Sequence, residues 1–176
     1  MFLIGGILMG LDPMITQAHG AGRGERAGLA VQRGIVLALL LALPIGLCWW
    51  SVGDLLLLLG QEPRLAPLAQ SYATAQIVSI PFFLLGNVQR QYLTGREIVR
   101  PAFYVMLIAN VFNAIANYAL IYGNFGAPEL GIQGAGIATT GTRIFSFLVL
   151  LLWIRVFNHH DGAWPRWSRV LKRRFL

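Results

Sequence analysis

The sequence contains very little charge. Only 12% of its 176 residues are charged, whereas about a quarter is usual for a soluble domain. By contrast, 56% of the residues are hydrophobic and the mean hydropathy is +0.63. A soluble domain of this length could not bury so much apolar surface in one core. The composition therefore excludes an ordinary soluble fold and predicts an all-α, polytopic membrane helix bundle.

Cysteine and enzyme motifs are also scarce. The single cysteine, Cys48, lies in an apolar run, which excludes a disulfide framework. No Ser/His/Asp set, paired carboxylates at membrane depth or HExxH motif is found. The Gly-rich GAGRGERAG lacks the strand and the Lys-Ser/Thr of a phosphate-binding loop, and the adjacent His159, His160 and Asp161 cannot close a tetrahedral metal site alone. We predict neither an enzyme, nor a cofactor, nor a metal site.

Five segments are long enough to cross a bilayer, since about 20 residues span a hydrocarbon core of roughly 30 Å. They cover about residues 1–19, 32–50, 66–93, 101–122 and 131–157. The loops between them are short and carry Gly or Pro, as tight helix-to-helix turns do. We therefore predict a transmembrane lobe over residues 1–158, followed at 159–176 by a basic cytoplasmic tail or inter-lobe linker.

The basic residues predict the orientation of the chain. Twelve of the fourteen flank the first and third loops or follow the last span: Arg23, Arg26, Arg33, Arg90, Arg96, Arg100, Arg155, Arg166, Arg169, Lys172, Arg173 and Arg174. The positive-inside rule makes that side of the cell membrane cytoplasmic and places Met1 outside. The tail, with Trp164 and Trp167 among its basic residues, is predicted to anchor on lipid and not to bind nucleic acid.

The N-terminus is predicted to belong to the mature protein, because MFLIGGILMGLDP lacks the basic region and cleavage site of a signal peptide. An outside N-terminus without a leader is unusual. It predicts either that one helix precedes this sequence or that the chain is a natural half.

Polar side chains interrupt the apolar spans. Asn110, Asn113 and Asn117 stand at i, i+3 and i+7, so a helix places them on one stripe. Further polar residues at or near membrane depth are Asp12, Gln17, Gln76, Asn87, Thr139, Thr140 and Arg143. For a single Asn or Thr, an interhelical hydrogen bond is an equally good interpretation. Asp12 and Gln17 lie near the cytoplasmic end, where they can reach headgroups. Arg143 is too deep for that and is expected to meet a cavity, a carbonyl or a carboxylate such as Asp12.

Two features predict how helices pack. Pro81 in the middle of the third span removes a backbone donor and predicts a bend. In the last span, Gly131, Ala135 and Thr139 stand at i, i+4 and i+8, which predicts close approach of another helix along that stripe.

Four motifs in order, LDPMITQAHGAG, LTGREIVRP, FNAIANYALIYG and ELGIQGAGIATTGTR, resemble the multidrug and toxic compound extrusion (MATE) family. The resemblance covers about Gly10 to Arg155. Members of that family have twelve helices in two pseudo-symmetric lobes and export mainly cationic organic compounds against Na⁺ or H⁺ entry. The resemblance implies a partial six-helix lobe with five transmembrane helices, matching helices two to six of the family.

The resemblance also implies site residues. Asn113 and Asn117 match a pair of polar positions on the fifth helix, and Thr139 matches a threonine of the sixth. In some relatives the second position of the pair is Asp, whereas here it is Asn117. Together with an acidic residue of the first helix, which this chain does not contain, these residues line a cavity for substrate or ion. Asn110, Gln17 and Arg143 are further candidates for the same cavity.

The expected function is therefore multidrug efflux by cation-coupled antiport and alternating access. Its expected partners are small organic cations or drugs, the lipid bilayer, and the first helix and C-terminal lobe of the same transporter. One alternative is a lipid-linked oligosaccharide flippase of the same superfamily, which a larger and more cationic cavity would favour. Another is a non-transporting membrane scaffold or an inert fragment.

Overall fold

The computed structural model describes residues 10–22 and 24–157. Within these ranges the chain forms helices and turns and no strand, which confirms the all-α prediction. The α-helices are α1 (Leu11–Gly20), α2 (Gly24–Trp50), α3 (Val52–Leu58), α4 (Leu65–Gln76), α5 (Ile80–Gly95), α6 (Val99–Tyr122) and α7 (Gly131–Val156). Short 3₁₀ segments occupy Ile77–Ser79 and Asn124–Gly126.

Four helical stretches of the described chain are long and apolar enough to cross a membrane. They are Arg26–Trp50, Leu65–Gly95, Val99–Tyr122 and Gly131–Val156. These stretches correspond to four of the five predicted spans. The first predicted span, 1–19, lies largely outside the described residues, although its end is helical in α1. The predicted tail at 159–176 also lies outside them.

The second span begins earlier than the predicted residue 32, because α2 already starts at Gly24. Arginine is a good helix former and its charged end can stay among the headgroups, so Arg26 and Arg33 extend the helix instead of ending it. Pro44 lies inside α2 without interrupting it.

The third span is interrupted just before Pro81. Because Pro81 has no backbone N–H, the carbonyl of Ile77 accepts a hydrogen bond from Ile80 instead, which tightens Ile77–Ser79 into a 3₁₀ turn. The Ser79 hydroxyl donates to the carbonyl of Gln76 at 2.7 Å and satisfies a second displaced acceptor. At Pro81 the structure therefore shows a 3₁₀ turn between α4 and α5, here called the break, while the bend itself remains a prediction.

Helix α7 packs against α4, α5 and α6 at once. Two glycines allow this, but they are not on the predicted stripe. A Cβ on Gly134 would collide with the backbone carbonyl of Leu120 in α6, and one on Gly136 would lie 2.7 Å from the Cβ of Ala75 in α4. Gly131 has open space beside its Cα, so the prediction of close approach at that position was wrong. The reason is that α7 meets different helices on two sides, which moves the close contacts to Gly134 and Gly136.

The apolar core of the lobe is formed mainly by α1, α2 and α5, with Leu150 and Ile154 of α7 packed into it. Ile15, Leu84, Tyr92 and Leu93 are completely or almost completely buried there. By contrast, α6 packs mainly on α7, and much of its remaining surface is exposed and apolar, as expected for a face turned to lipid.

Candidate substrate and ion cavity

A cavity of about 290 Å³ lies between α5, α6 and α7. Such a volume is at the lower end of the range of small-molecule pockets, which begins at about 300 Å³. Aromatic and aliphatic side chains form most of its wall. The polar residues in the wall are Arg90, Asn110, Asn113, Thr139, Thr142, Arg143 and Ser146.

Two polar stripes face each other across α6 and α7. The predicted stripe on α6 is matched on α7 by Thr139, Thr142 and Ser146, which have the same i, i+3, i+7 spacing. The stripes are joined where the Nδ2 of Asn113 donates to the Oγ1 of Thr142 at 3.0 Å. Both residues lie well inside their spans, so the contact is far from either membrane surface.

The hydrogen bonds along this contact run in one direction. The hydroxyl of Thr142 donates to the carbonyl of Ala138 at 2.8 Å, so its oxygen can only accept from Asn113. The Oδ1 of Asn113 in turn accepts from the Nδ2 of Asn117 at 3.0 Å. The hydrogen-bond chain thus starts at Asn117 and ends at the carbonyl of Ala138, and the Oδ1 of Asn117 is left buried without a hydrogen-bond donor among the described residues. A buried acceptor without a donor is costly and favours the arrival of a cation or a further donor.

The other predicted site residues are divided between this cavity and places outside it. Thr139 lines the cavity and donates its hydroxyl to the carbonyl of Ala135 at 2.9 Å. Asn110 lines it from the exposed end of the α6 stripe. Asn117 is not in the wall and reaches the cavity only through Asn113. Gln17 is an exposed residue of α1 and does not belong to the wall.

Arg143 lies in the cavity wall at the break between α4 and α5. Its Nη1 donates to the Oγ of Ser79 at 2.9 Å. Its guanidinium carbon is 4.9 Å from the ring centre of Phe83 and 5.9 Å from that of Trp49, within the range of cation–π attraction. Of the surroundings expected for Arg143, the structure gives it a cavity, whereas its hydrogen-bond partner is a hydroxyl, which was not expected. The Asp12 side chain, suggested as a carboxylate partner, lies outside the described residues.

Three polar wall residues were not predicted as site residues. Thr142 and Ser146 could have been found, because they continue the helical spacing that begins at Thr139. Arg90 could not, since the sequence places it near a loop and does not say which side of α5 faces α7. In the structure its Nη2 donates to the Oδ1 of Asn87 at 2.8 Å.

Comparison with known proteins identifies the family. The MatE family profile matches residues 1–119. Multidrug resistance protein NorM of Vibrio parahaemolyticus is 34% identical over 97% of this chain and 40% of its own length. Multidrug and toxin extrusion protein 1 of Oryctolagus cuniculus is 31% identical over 93% of this chain and 28% of its own length. The chain thus spans less than half the length of these curated relatives.

Solved structures show the same fold. The eukaryotic MATE transporter AtDTX14 superimposes with a TM-score of 0.85 at 24% identity, over 96% of this chain and 37% of that one. An inward-facing multidrug resistance MATE family transporter of the MOP superfamily superimposes with a TM-score of 0.79 at 21% identity, over 97% and 39%. These findings confirm the resemblance seen in the motifs and the partial-lobe fold. The chain belongs to the MatE family, the family of multidrug and toxic compound extrusion proteins.

Proposed function

We propose that this chain forms helices two to six of the N-terminal lobe of a secondary active multidrug exporter in a bacterial inner membrane. The transporter exchanges organic, mostly cationic compounds for Na⁺ or H⁺ by alternating access. Because the chain spans between 28% and 40% of the length of its relatives, the activity is assigned to a longer assembly. That assembly includes a first helix and a C-terminal lobe.

The observation that carries this proposal is the pair of polar stripes facing across α6 and α7. Their carboxamides and hydroxyls supply both donors and acceptors without placing a negative charge in the membrane. Carriers that work by alternating access bind their cargo near the membrane midplane, between helices lined by such groups. The Asn113–Thr142 bond, well inside both spans, supports a site of this kind.

The unpaired Oδ1 of Asn117 supports ion coupling at the same place. A carbonyl oxygen is a suitable ligand for a hard cation and a suitable acceptor for a protonated carboxyl group. The family resemblance assigns an acidic residue of the first helix to this cavity. We therefore assign the coupling step to that acidic residue together with Asn113 and Asn117. Without the acidic residue, we expect no coupled transport.

One observation favours a second function, that of a lipid-linked oligosaccharide flippase. The described cavity wall contains Arg90 and Arg143 and no acidic residue, and a cationic cavity suits the phosphates of a lipid-linked oligosaccharide. The volume of about 290 Å³ favours a small compound over such a bulky lipid head. Multidrug export therefore remains the first assignment.

Dye efflux tests the proposal. The chain is expressed in an efflux-deficient bacterium, both as these 176 residues and within its complete gene context, and export of ethidium is followed by fluorescence. The complete version should export the dye, and the 176-residue chain alone should insert into the membrane without exporting it. Robust export by the 176 residues alone would contradict the partial-lobe assignment, and no export by either form would contradict the function.

The Asn113→Ala variant of the complete version links export to the cavity. We expect export to fall several-fold at nearly normal abundance, because one interhelical hydrogen bond in a membrane contributes only about 0.6 kcal/mol to stability. Ile115→Ala is the matched control, since Ile115 is 56% exposed on the opposite side of α6. Export that falls only in proportion to protein abundance would assign Asn113 to packing.

A further inference from the structure

A second cavity, of about 240 Å³, lies between α2, α5 and α7. Helices α2 and α7 both pack on α5, but in the described chain they do not pack on each other. The cavity is therefore a gap between α2 and α7 with α5 as its floor. Val31 and Ile35 form its wall on α2, and Leu151 and Ile154 form its wall on α7. We call this cavity the lateral groove.

The lateral groove opens towards lipid. On α2, Leu39 follows Ile35 by one helical turn and is exposed. On α7, Leu148 and Leu152 stand on either side of the groove residue Leu151 and are also exposed. Large apolar side chains that are exposed within a span face hydrocarbon. An acyl chain of the bilayer can therefore enter the groove from the side.

Two arginines stand at the end of the lateral groove that lies nearest the membrane surface. The Nη1 of Arg96 donates to the hydroxyl of the groove residue Tyr92 at 2.6 Å, and its guanidinium carbon is 5.4 Å from the centre of that ring. Arg155 is exposed and follows Leu151 by four residues on the same face of α7. Arg96 comes just after the third span and Arg155 is in the last turn of its helix. Both charges are thus at the level of lipid headgroups.

The carboxamide of Gln89 lies in the groove wall between the apolar part and the two arginines. Gln89 is one helical turn further from the arginines than Tyr92, which also lines the groove. Its Oε1 is buried and has no hydrogen-bond donor among the described residues. A buried polar atom without a partner favours the arrival of a ligand. The amino group of the same carboxamide is a suitable donor for an ester carbonyl, the group that joins an acyl chain to glycerol.

We propose that the lateral groove binds one acyl chain of an anionic phospholipid, and that Arg96 and Arg155 hold the phosphate of its headgroup. Arginine binds phosphate through parallel N–H bonds. A zwitterionic phospholipid also carries a phosphate, but its cationic group meets two guanidinium charges of the same sign. The site does not depend on which compound is transported, because it uses a different face of α5 from the polar cavity.

Direct lipid binding tests the proposal. The purified chain in detergent micelles is titrated with dioleoyl phosphatidylglycerol or dioleoyl phosphatidylcholine, and bound lipid is counted by native mass spectrometry. The anionic lipid should bind at least about tenfold more tightly, the factor expected for one charge-assisted hydrogen bond. Arg96→Gln and Arg155→Gln should each reduce this preference several-fold. Arg64→Gln is the matched control, because Arg64 is an exposed arginine at the other end of the third span.

A larger side chain tests whether the groove holds the acyl chain. Leu151→Trp should weaken the binding of both lipids several-fold, because the indole would occupy the space between α2 and α7. Leu152→Trp is the matched control, since Leu152 is the next residue of α7 but is 62% exposed and lies outside the groove wall. It should leave the binding of both lipids unchanged.

The opposite results would overturn the inference. They are equal binding of the two lipids, a preference that survives the double Arg96→Gln, Arg155→Gln change, or unchanged binding in Leu151→Trp. If Arg96→Gln does not fold, Arg96→Lys keeps the charge and should retain the preference for the anionic lipid. Several-fold tighter lipid binding after joint Trp164→Ala and Trp167→Ala changes would assign the groove to the tail of this chain and also overturn the proposal.

Discussion

Asn113 has both ends of its carboxamide bonded, whereas Asn117 has only its amino group bonded. This difference separates two roles within one stripe. Asn113 joins α6 to α7 and faces the cavity, while Asn117 orients Asn113 and presents a free acceptor behind it. The same chemical group therefore links two helices at one position and leaves its oxygen without a donor at the next turn of the helix.

Thiol labelling checks which positions meet water. In a Cys48→Ser background, Asn113→Cys should react with a small charged methanethiosulfonate reagent, because residue 113 lines the cavity. Ile115→Cys should stay unmodified, since its face of α6 is turned to lipid, which a charged reagent does not enter. Asn117→Cys should react more slowly than Asn113→Cys, because residue 117 is outside the wall. Equal rates at 113 and 115 would contradict the assigned faces.

The site residues differ in how far the sequence could predict them. Helical spacing was enough to place the three asparagines on one stripe, because that stripe depends only on the pitch of α6. The position of Arg90 in the cavity wall could not be predicted, because it depends on how α5 is rotated about its own axis, which the sequence does not specify. The side of α5 that meets α7 depends on the geometry of the 3₁₀ turn at Ile77–Ser79, which directly precedes α5. That geometry is known only from the packed structure. Gln17 was assigned from the sequence to a cavity that its helix does not border.

At the scale of the helix, α6 and α7 approach each other closely at Gly134. We expect Gly134→Ala to destabilise the lobe by about 1–3 kcal/mol, because the added Cβ would lie 2.7 Å from the carbonyl carbon of Leu120 and a backbone cannot move aside easily. Thermal unfolding in detergent, followed by size-exclusion chromatography, measures the loss.

Gly141→Ala is a matched control in the same helix. Its nearest new neighbour would be the Phe112 ring at 3.7 Å, an ordinary contact. It should therefore leave the unfolding temperature nearly unchanged or raise it slightly, since alanine favours helix over glycine. A similar loss for both variants would show that α7 tolerates no added methyl group anywhere, and would contradict a specific contact at Gly134.

The elements themselves were largely predictable, because a bilayer imposes long apolar helices and proline marks where one of them breaks. The packing register of α7 was not. A run rich in Gly, Ala and Thr offers several stripes of small residues, and the choice among them depends on which helices arrive on each side. Gly136 contacts α4 and Gly134 contacts α6. A single helical spacing in the sequence cannot predict contacts with two different helices.

For the whole molecule, the distribution of arginine predicts the topology. Reporter fusions near Arg26, Gln61, Arg96 and Pro128 should alternate between cytoplasm, outside, cytoplasm and outside. The prediction follows from the twelve basic residues that flank the first and third loops or follow the last span and from the four successive spans of the described chain. Two neighbouring loops that report the same side would contradict it.

The bond between Asn113 and Thr142 also has a consequence for synthesis on the ribosome. Helix α6 is made first, and Thr142, the interhelical partner of Asn113 within the described residues, then lies in a helix that has not yet been translated. An unpaired carboxamide is costly in hydrocarbon. We therefore expect the free energy of inserting α6 to be more favourable when α6 leaves the translocon together with α7. The turn between Tyr122 and Gly131 is short enough for the two to enter the bilayer together as a hairpin. We therefore expect Asn113 and Thr142 to favour insertion of α6 and α7 as a pair.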